Sequence, residues 1–111
     1  IRWSEFSWTR NPLNLIKSLL EGKMPVISTF YGIIISMFFE QTGKHHTPHF
    51  HASYGEYDAE INFEGDIISG ALPKNQAAYV KAWALIHSDE LAANWKLAMT
   101  NEKPYKIDPL K

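Results

Sequence analysis

The chain of 111 residues contains no cysteine. Disulfide scaffolds, thiol catalysis and cysteine-ligated zinc or iron–sulfur sites are therefore excluded. Arginine is scarce, since only Arg2 and Arg10 occur, and the formal net charge is −1. Because nucleic-acid affinity comes largely from cationic side chains that neutralise phosphates, this charge balance argues against a general nucleic-acid coat.

Long apolar segments are missing as well. The longest run, Ile33–Phe39, is interrupted by Ser36 and is far shorter than the roughly 20 residues that cross a bilayer. Residues 1–23 lack the continuous apolar centre of a signal peptide. The sequence therefore predicts a soluble cytoplasmic protein with no membrane partner.

Apolar spacing divides the chain into an N-terminal extension and one domain. Residues 1–23 are predicted to form a helical extension, in which Asn11 is the N-cap and the apolar stripe consists of Leu13, Ile16, Leu19 and Leu20. Residues 24–111 are predicted to form a single α+β domain. We expect an antiparallel β-meander of three or four strands, with two C-terminal helices packed on one face.

The predicted strands are rich in β-branched and aromatic residues, and they include Val26–Phe30 and Ile33–Phe39. Helical spacing extends from Lys74 to His87, and Ser88 or Asp89 can cap a second helix. The segment from Tyr105 onwards is expected to lie as extended chain along the domain.

A hairpin in the middle of the chain has a predictable register. Apolar residues alternate with polar ones on both sides of Gly55, which favours a two-residue loop of Gly55 and Glu56. The resulting pairs are Tyr54 with Tyr57, Ala52 with Ala59, Phe50 with Ile61, Ser53 with Asp58, His51 with Glu60 and His49 with Asn62. A loop one residue longer would place apolar side chains opposite acids.

The two histidines of this hairpin are the strongest candidates for chemistry. His49 and His51 point to the same side of a strand about 7 Å apart, which is the spacing of a His-x-His metal pair. Three residues are candidates for the third ligand: Glu60, Asp58 and His46. Two other interpretations stay open: half-exposed histidines hydrogen-bonded to acids, or a proton-transfer pair whose pKa a carboxylate raises.

An acidic row accompanies the histidines and consists of Glu56, Asp58, Glu60 and Glu64. Such a row is usually the solvated face of a half-buried sheet. Its functional alternative is to recruit a basic partner surface.

Three motifs resemble the small bacterial proteins of domain-of-unknown-function family 4160. They are MPxISxFYGI from Met24, PHFHAxYGEY from Pro48, and WAxxHxDEL from Trp83, which Asn94-Trp95 and the ending IxPL follow. The resemblance covers Met24 to Lys111. The loop 41–48 is longer than usual in this family and adds His45 and His46, and residues 1–23 precede the usual start.

The resemblance implies a protein that is encoded beside another small protein, in the manner of a toxin–antitoxin module. The motif residues that it singles out are Tyr31, His49, His51, Tyr54, Glu56 and His87. If the chain is the toxin, the chemistry we expect is metal-independent RNA cleavage. The candidate catalytic residues are His49, His51, Tyr54, Glu60, Tyr31 and His87.

Two further hypotheses belong to other classes. A non-enzymatic interaction module would hold a small protein partner, or a second copy as a homodimer, through the sheet face and the N-terminal helix. A metal-binding domain would hold a divalent ion such as zinc at His49, His51 and Glu60, whereas the other two hypotheses require no cofactor. RNA is a partner only under the first hypothesis.

Overall fold

A computed structural model describes residues 25–39 and 47–111, and the predicted helix within residues 1–23 lies outside these ranges. The described residues form an antiparallel sheet in which five strands follow their order in the sequence. The strands are β1 (Val26–Phe30), β2 (Ile33–Ser36), β3 (His49–Tyr54), β4 (Tyr57–Asn62) and β5 (Ile67–Gly70). The α+β class and the meander are confirmed.

The strand count of three or four is wrong, because β5 forms a fifth strand. All four residues of β5 are exposed, so the segment carries little of the apolar alternation that identifies a half-buried strand. Its backbone pairs with β4 from Ala59–Gly70 to Ile61–Ile67, across a bulge. The second strand is shorter than the predicted Ile33–Phe39, since β2 ends at Ser36.

The predicted register of the β3–β4 hairpin is confirmed at every pair, from Tyr54–Tyr57 at the turn to His49–Asn62 at the far end. Gly55 has a φ of +57°, a conformation that glycine adopts without steric cost. Alternation then places Phe50, Ala52, Ala59 and Ile61 on one face, where all four are buried.

Two helices cover that face, α1 (Lys74–Ile86) and α2 (Ser88–Met99). The Trp83 ring of α1 lies 5.5 Å from the ring of Phe50, centroid to centroid. Neither helix has the length and the apolar run that a bilayer crossing requires. The predicted cap at Ser88 or Asp89 is wrong, because the N-cap of α2 is His87 and no side chain caps the helix.

The C-terminal segment lies back on the domain as expected. The backbone N–H of Ile107 donates to the Ile27 carbonyl oxygen at 2.7 Å, and the indole N–H of Trp83 donates to the Asp108 carbonyl oxygen at 2.8 Å. The buried Asn94 side chain forms two hydrogen bonds with the backbone of Tyr105. These bonds tie the segment to β1 and to both helices.

Candidate functional site

The sheet brings together two histidines and one carboxylate on the face opposite the helix-covered core. His51 pairs directly with Glu60 across β3 and β4, and His49 precedes His51 by two residues on the same strand. The candidate ligand atoms of His49, His51 and Glu60 all lie within 4.8 Å of one another. This distance is short enough for one ion to contact all three, since bonds from zinc to nitrogen and oxygen are about 2.0–2.2 Å long.

The orientation of the His49 ring is fixed by its surroundings. The residue is only 8% exposed, and its ring lies 5.4 Å from that of Trp95. His49 Nδ1 lies 2.8 Å from the carbonyl oxygen of Thr47. A carbonyl oxygen only accepts, so Nδ1 carries the proton and donates it. In the neutral ring, Nε2 then carries a lone pair that is available to a metal ion.

The His51 ring is held in the neutral form. Its pKa is lowered from 6.5 to about 4, first by burial and then by the neighbouring His49, while Asp58 acts in the opposite direction. Phe38 stacks on the imidazole with a centroid distance of 4.5 Å and an interplanar angle of 7°. A neutral imidazole is the form that binds a metal ion.

The Nε2 atoms of both rings are buried without a hydrogen-bond partner among the described residues. Within residues 25–39 and 47–111, neither His49 Nε2 nor His51 Nε2 has a donor or acceptor in reach. Such a buried unpaired polar atom costs roughly 1–3 kcal/mol. For His49, the interpretation as a half-exposed residue hydrogen-bonded to an acid is wrong, since this residue is buried and bonds a backbone carbonyl. The proposed proton-transfer pair requires a raised pKa, whereas the pKa of His51 is lowered.

Two other candidate residues lie at the far end of the sheet. Tyr54 ends β3 three residues beyond His51, about 10 Å along the strand, and alternation turns its side chain to the helix-covered face. Tyr31 occupies the β1–β2 turn, where its ring contacts Phe30 and Tyr79. Neither ring contacts the histidine pair.

His87 lies at the junction of the two helices. Its Nδ1 bonds the carboxylate of Glu90, and its ring lies 5.6 Å from that of Trp83. The structure therefore brings together His49, His51 and Glu60 from the candidate set, and it places Tyr31, Tyr54 and His87 elsewhere.

The acidic row does not form one continuous stripe. Asp58 and Glu60 lie on β4, where the Ser53 hydroxyl donates to Asp58 at 2.9 Å. Glu56 belongs to the β3–β4 turn, and Glu64 follows the end of β4. Glu60 alone belongs to the histidine group.

Sequence reasoning missed three supporting residues: Phe38, Thr47 and Trp95. The stack of Phe38 on His51 depends on the chain leaving the strand after Ser36, and the apolar residues on both sides of Ser36 give no sign of this strand end. Thr47 acts through its backbone carbonyl, for which side-chain chemistry gives no signal. Trp95 has the spacing of a core residue, and its contact with His49 requires the tertiary packing of α2.

One family model matches residues 32–96 of the chain, and its description is domain of unknown function (DUF4160). The matched residues include β3, β4 and the His49–His51–Glu60 group. Neither a curated protein nor a solved structure matches the chain.

Proposed function

Because the chain belongs to the DUF4160 family, whose description assigns no activity, we propose a function from the site itself: the protein binds a divalent transition-metal ion of the zinc class. His49 Nε2, His51 Nε2 and the Glu60 carboxylate are the ligands. The observation that carries the proposal is that two imidazoles, each with a buried and unpartnered Nε2, belong with the Glu60 carboxylate to one group whose candidate ligand atoms lie within 4.8 Å of one another. A metal ion would satisfy both nitrogens at once.

The surroundings of the three residues support a metal over a proton as the bound cation. Metal-binding histidines usually donate their second N–H to a carbonyl or carboxylate, and His49 donates to Thr47. The low pKa of His51 keeps its lone pair free for a metal at neutral pH. A site of two imidazoles and one carboxylate suits zinc and similar ions, whereas magnesium prefers oxygen ligands.

Three protein ligands leave at least one coordination position of a tetrahedral ion for another group. A water molecule in that position would be acidified by a zinc ion, and this would supply a nucleophile near neutral pH. Metal binding would also stabilise the fold, because an ion that binds only the folded chain raises the free energy of unfolding.

Zinc titration of metal-free protein without a histidine tag tests the proposal. We expect one ion per chain by calorimetry, and about 2.7 kcal/mol of added stability when free zinc is 100 times the dissociation constant. Magnesium should add none. His51→Asn and Glu60→Gln should weaken zinc binding at least tenfold, while the control His87→Asn, which alters a histidine at the helix junction, should leave it unchanged.

Two results would reject the metal site. The first is that zinc leaves the unfolding midpoint of the parent protein unchanged. The second is that His51→Asn binds zinc as tightly as the parent protein does. The second result would place the ion at other residues, of which His45 and His46 are the nearest in sequence.

Metal-independent RNA cleavage, as in the toxin of a two-gene module, is the competing proposal and rests on the family resemblance. It needs one histidine as a protonated general acid, and the low pKa of His51 disfavours that role for this residue at neutral pH. An RNA cleavage assay in the presence of a chelator separates the two proposals. Cleavage by the parent and not by His51→Ala would favour the nuclease.

The setting of the protein is a further proposal. We expect a bacterial cytoplasmic protein that associates with a small protein encoded nearby, or with a second copy of itself. Size-exclusion chromatography, alone and after mixing with the neighbouring gene product, measures both associations. Elution as a monomer in both experiments would reject them.

A further inference from the structure

Four side chains form the corners of one patch on the sheet face opposite the helix-covered core. His51 pairs with Glu60 across β3 and β4, and His49 pairs with Asn62 two residues further along the same strands. Directly opposed residues on antiparallel strands have Cβ atoms about 4.5–5.5 Å apart, and residues two apart on one strand project from the same face. Asn62 is therefore the fourth corner, beside the three residues of the proposed metal site.

The turn that follows β4 orients the side chain of Asn62. Its Oδ1 accepts from the backbone N–H of Glu64 at 3.1 Å and from that of Asp66 at 2.9 Å. Because both partners are donors, the atom that they bond has to be the carbonyl oxygen of the amide, and the other atom is the amino nitrogen Nδ2. Neither of these bonds uses the two N–H donors of Nδ2.

The position of this turn indicates where Nδ2 lies. Residues 64–66 lead from β4 into β5, and β5 borders β4 on the side away from β3. The oxygen and the nitrogen of an amide diverge from the same carbon, so Nδ2 points away from the turn. On that other side of β4, the residue opposite Asn62 is His49.

The chemistry of the metal site defines what this donor could bind. A divalent ion held by two neutral imidazoles and one carboxylate keeps a positive charge, which favours an anion in the open coordination position. Asn62 is uncharged and its Oδ1 already accepts two bonds, so it is not suited to be a further ligand. Its Nδ2 can donate to an anionic oxygen, and such charge-assisted bonds are stronger than bonds between neutral groups.

We propose that Asn62 Nδ2 donates a hydrogen bond to an oxygen anion in the open coordination position of the metal. The ligands of this class are hydroxide and small carboxylates. The inference rests on the metal site proposed above. Since Asn62 contacts the anion and not the ion, its removal should weaken anion binding and leave metal binding unchanged.

Cobalt(II) in place of zinc makes the test possible, because its visible absorption bands change when the group in the open position changes. The first probe is acetate, whose oxygen atoms accept hydrogen bonds. The second is imidazole, which has no acceptor atom left once it binds the metal and therefore gains nothing from Asn62.

Two uncharged variants remove the donor. Asn62→Ala lacks every polar atom of the side chain, whereas Asn62→Ser keeps an oxygen that can accept from the turn but is too short to reach the anion. We expect acetate to bind both variants at least about tenfold more weakly than the parent protein, as for the loss of a hydrogen bond to a charged group, and imidazole to bind within about twofold. The matched control is Ser69→Ala, since Ser69 faces Glu60 from β5. It should change neither affinity.

Three results would overturn the inference. If cobalt-loaded Asn62→Ala and the parent bind acetate equally well, the inference is wrong and the metal site stands. If acetate and imidazole binding weaken alike, Asn62 acts through the fold or the ion and not on the anion. If the parent binds no cobalt, the metal site and the inference are rejected together. Should Asn62→Ala not fold, the same comparisons on Asn62→Ser decide.

Discussion

His51 and Glu60 face each other across β3 and β4, on the side of the sheet away from the helix-covered core. Because His49 lies two residues before His51, one cross-strand pair is enough to gather three potential ligands. A slip of one residue would turn Glu60 to the opposite face and separate the group. The candidate site therefore depends on the register of the hairpin, and the register depends on the alternating apolar residues of both strands.

The low pKa of His51 predicts a pH dependence of stability. Folding lowers this pKa from 6.5 to about 4, so between these values the unfolded chain binds more protons than the folded one. The free energy of unfolding therefore falls as pH falls through this window. For metal-free protein we expect a loss on the order of 2 kcal/mol from this residue between pH 7 and pH 5, measured by urea unfolding in chelator.

The matched control for this prediction is a comparison of His51→Asn with His87→Asn. The first variant should lose most of the pH dependence, and the second should keep it. If His51→Asn and the parent protein lost the same stability between the two pH values, the burial of a neutral His51 would be contradicted.

The sequence predicted the centre of the fold better than its edges. Alternation around Gly55 predicted six residue pairs of the β3–β4 hairpin, because an apolar face cannot be turned to solvent without a large cost. The exposed β5 has no such constraint, and the end of β2 at Ser36 lies inside an apolar run. Strand count and boundaries were therefore the parts that failed.

For the candidate site, the sequence predicted which residues come together but not the environment that surrounds them. Spacing and register brought His49, His51 and Glu60 together, since these depend on local alternation. The burial of both imidazole nitrogens, the proton on His49 Nδ1 and the stack of Phe38 depend on long-range packing or on backbone groups. These features are the ones that favour the proposed metal site over a solvated histidine pair, and no local sequence pattern indicates them.

A second prediction concerns two glycines that share a positive φ but differ in surroundings. A Cβ atom added at Gly70, where φ is +79°, would lie 2.2 Å from the Asp58 carbonyl oxygen. At Gly55, where φ is +57°, nothing lies within 4 Å. We expect Gly70→Ala to cost about 3 kcal/mol or more and Gly55→Ala about 1 kcal/mol, measured by urea unfolding. Equal costs would show that φ alone decides and that the contact with Asp58 relaxes freely.

A third prediction concerns Asn94, which is 2% exposed and holds the C-terminal segment. Its side-chain amide donates to the Tyr105 carbonyl oxygen at 2.8 Å and accepts from the Tyr105 N–H at 2.9 Å. Asn94→Ala removes both bonds and should cost about 2–3 kcal/mol, with faster proteolysis after residue 100. The control Asn75→Ala, at an exposed position of α1, should change stability by less than about 0.5 kcal/mol. Unchanged proteolysis in Asn94→Ala would show that Trp83 and Ile107 hold the segment without it.

The last prediction concerns Phe38, whose ring stacks on His51 without offering a ligand atom. If this stack holds the imidazole toward His49 and Glu60, Phe38→Leu should weaken zinc binding roughly tenfold, as changes around metal ligands commonly do. The control Phe63→Leu removes a half-buried ring that contacts Phe50 and Trp95 but neither histidine. This control should lower the unfolding midpoint and leave the zinc affinity within about twofold of the parent's, because the Phe63 ring contacts neither histidine. Calorimetric titration of both folded variants measures the difference. Equal affinities would mean that the strand backbone alone orients His51, and Phe38 would then have no part in zinc binding.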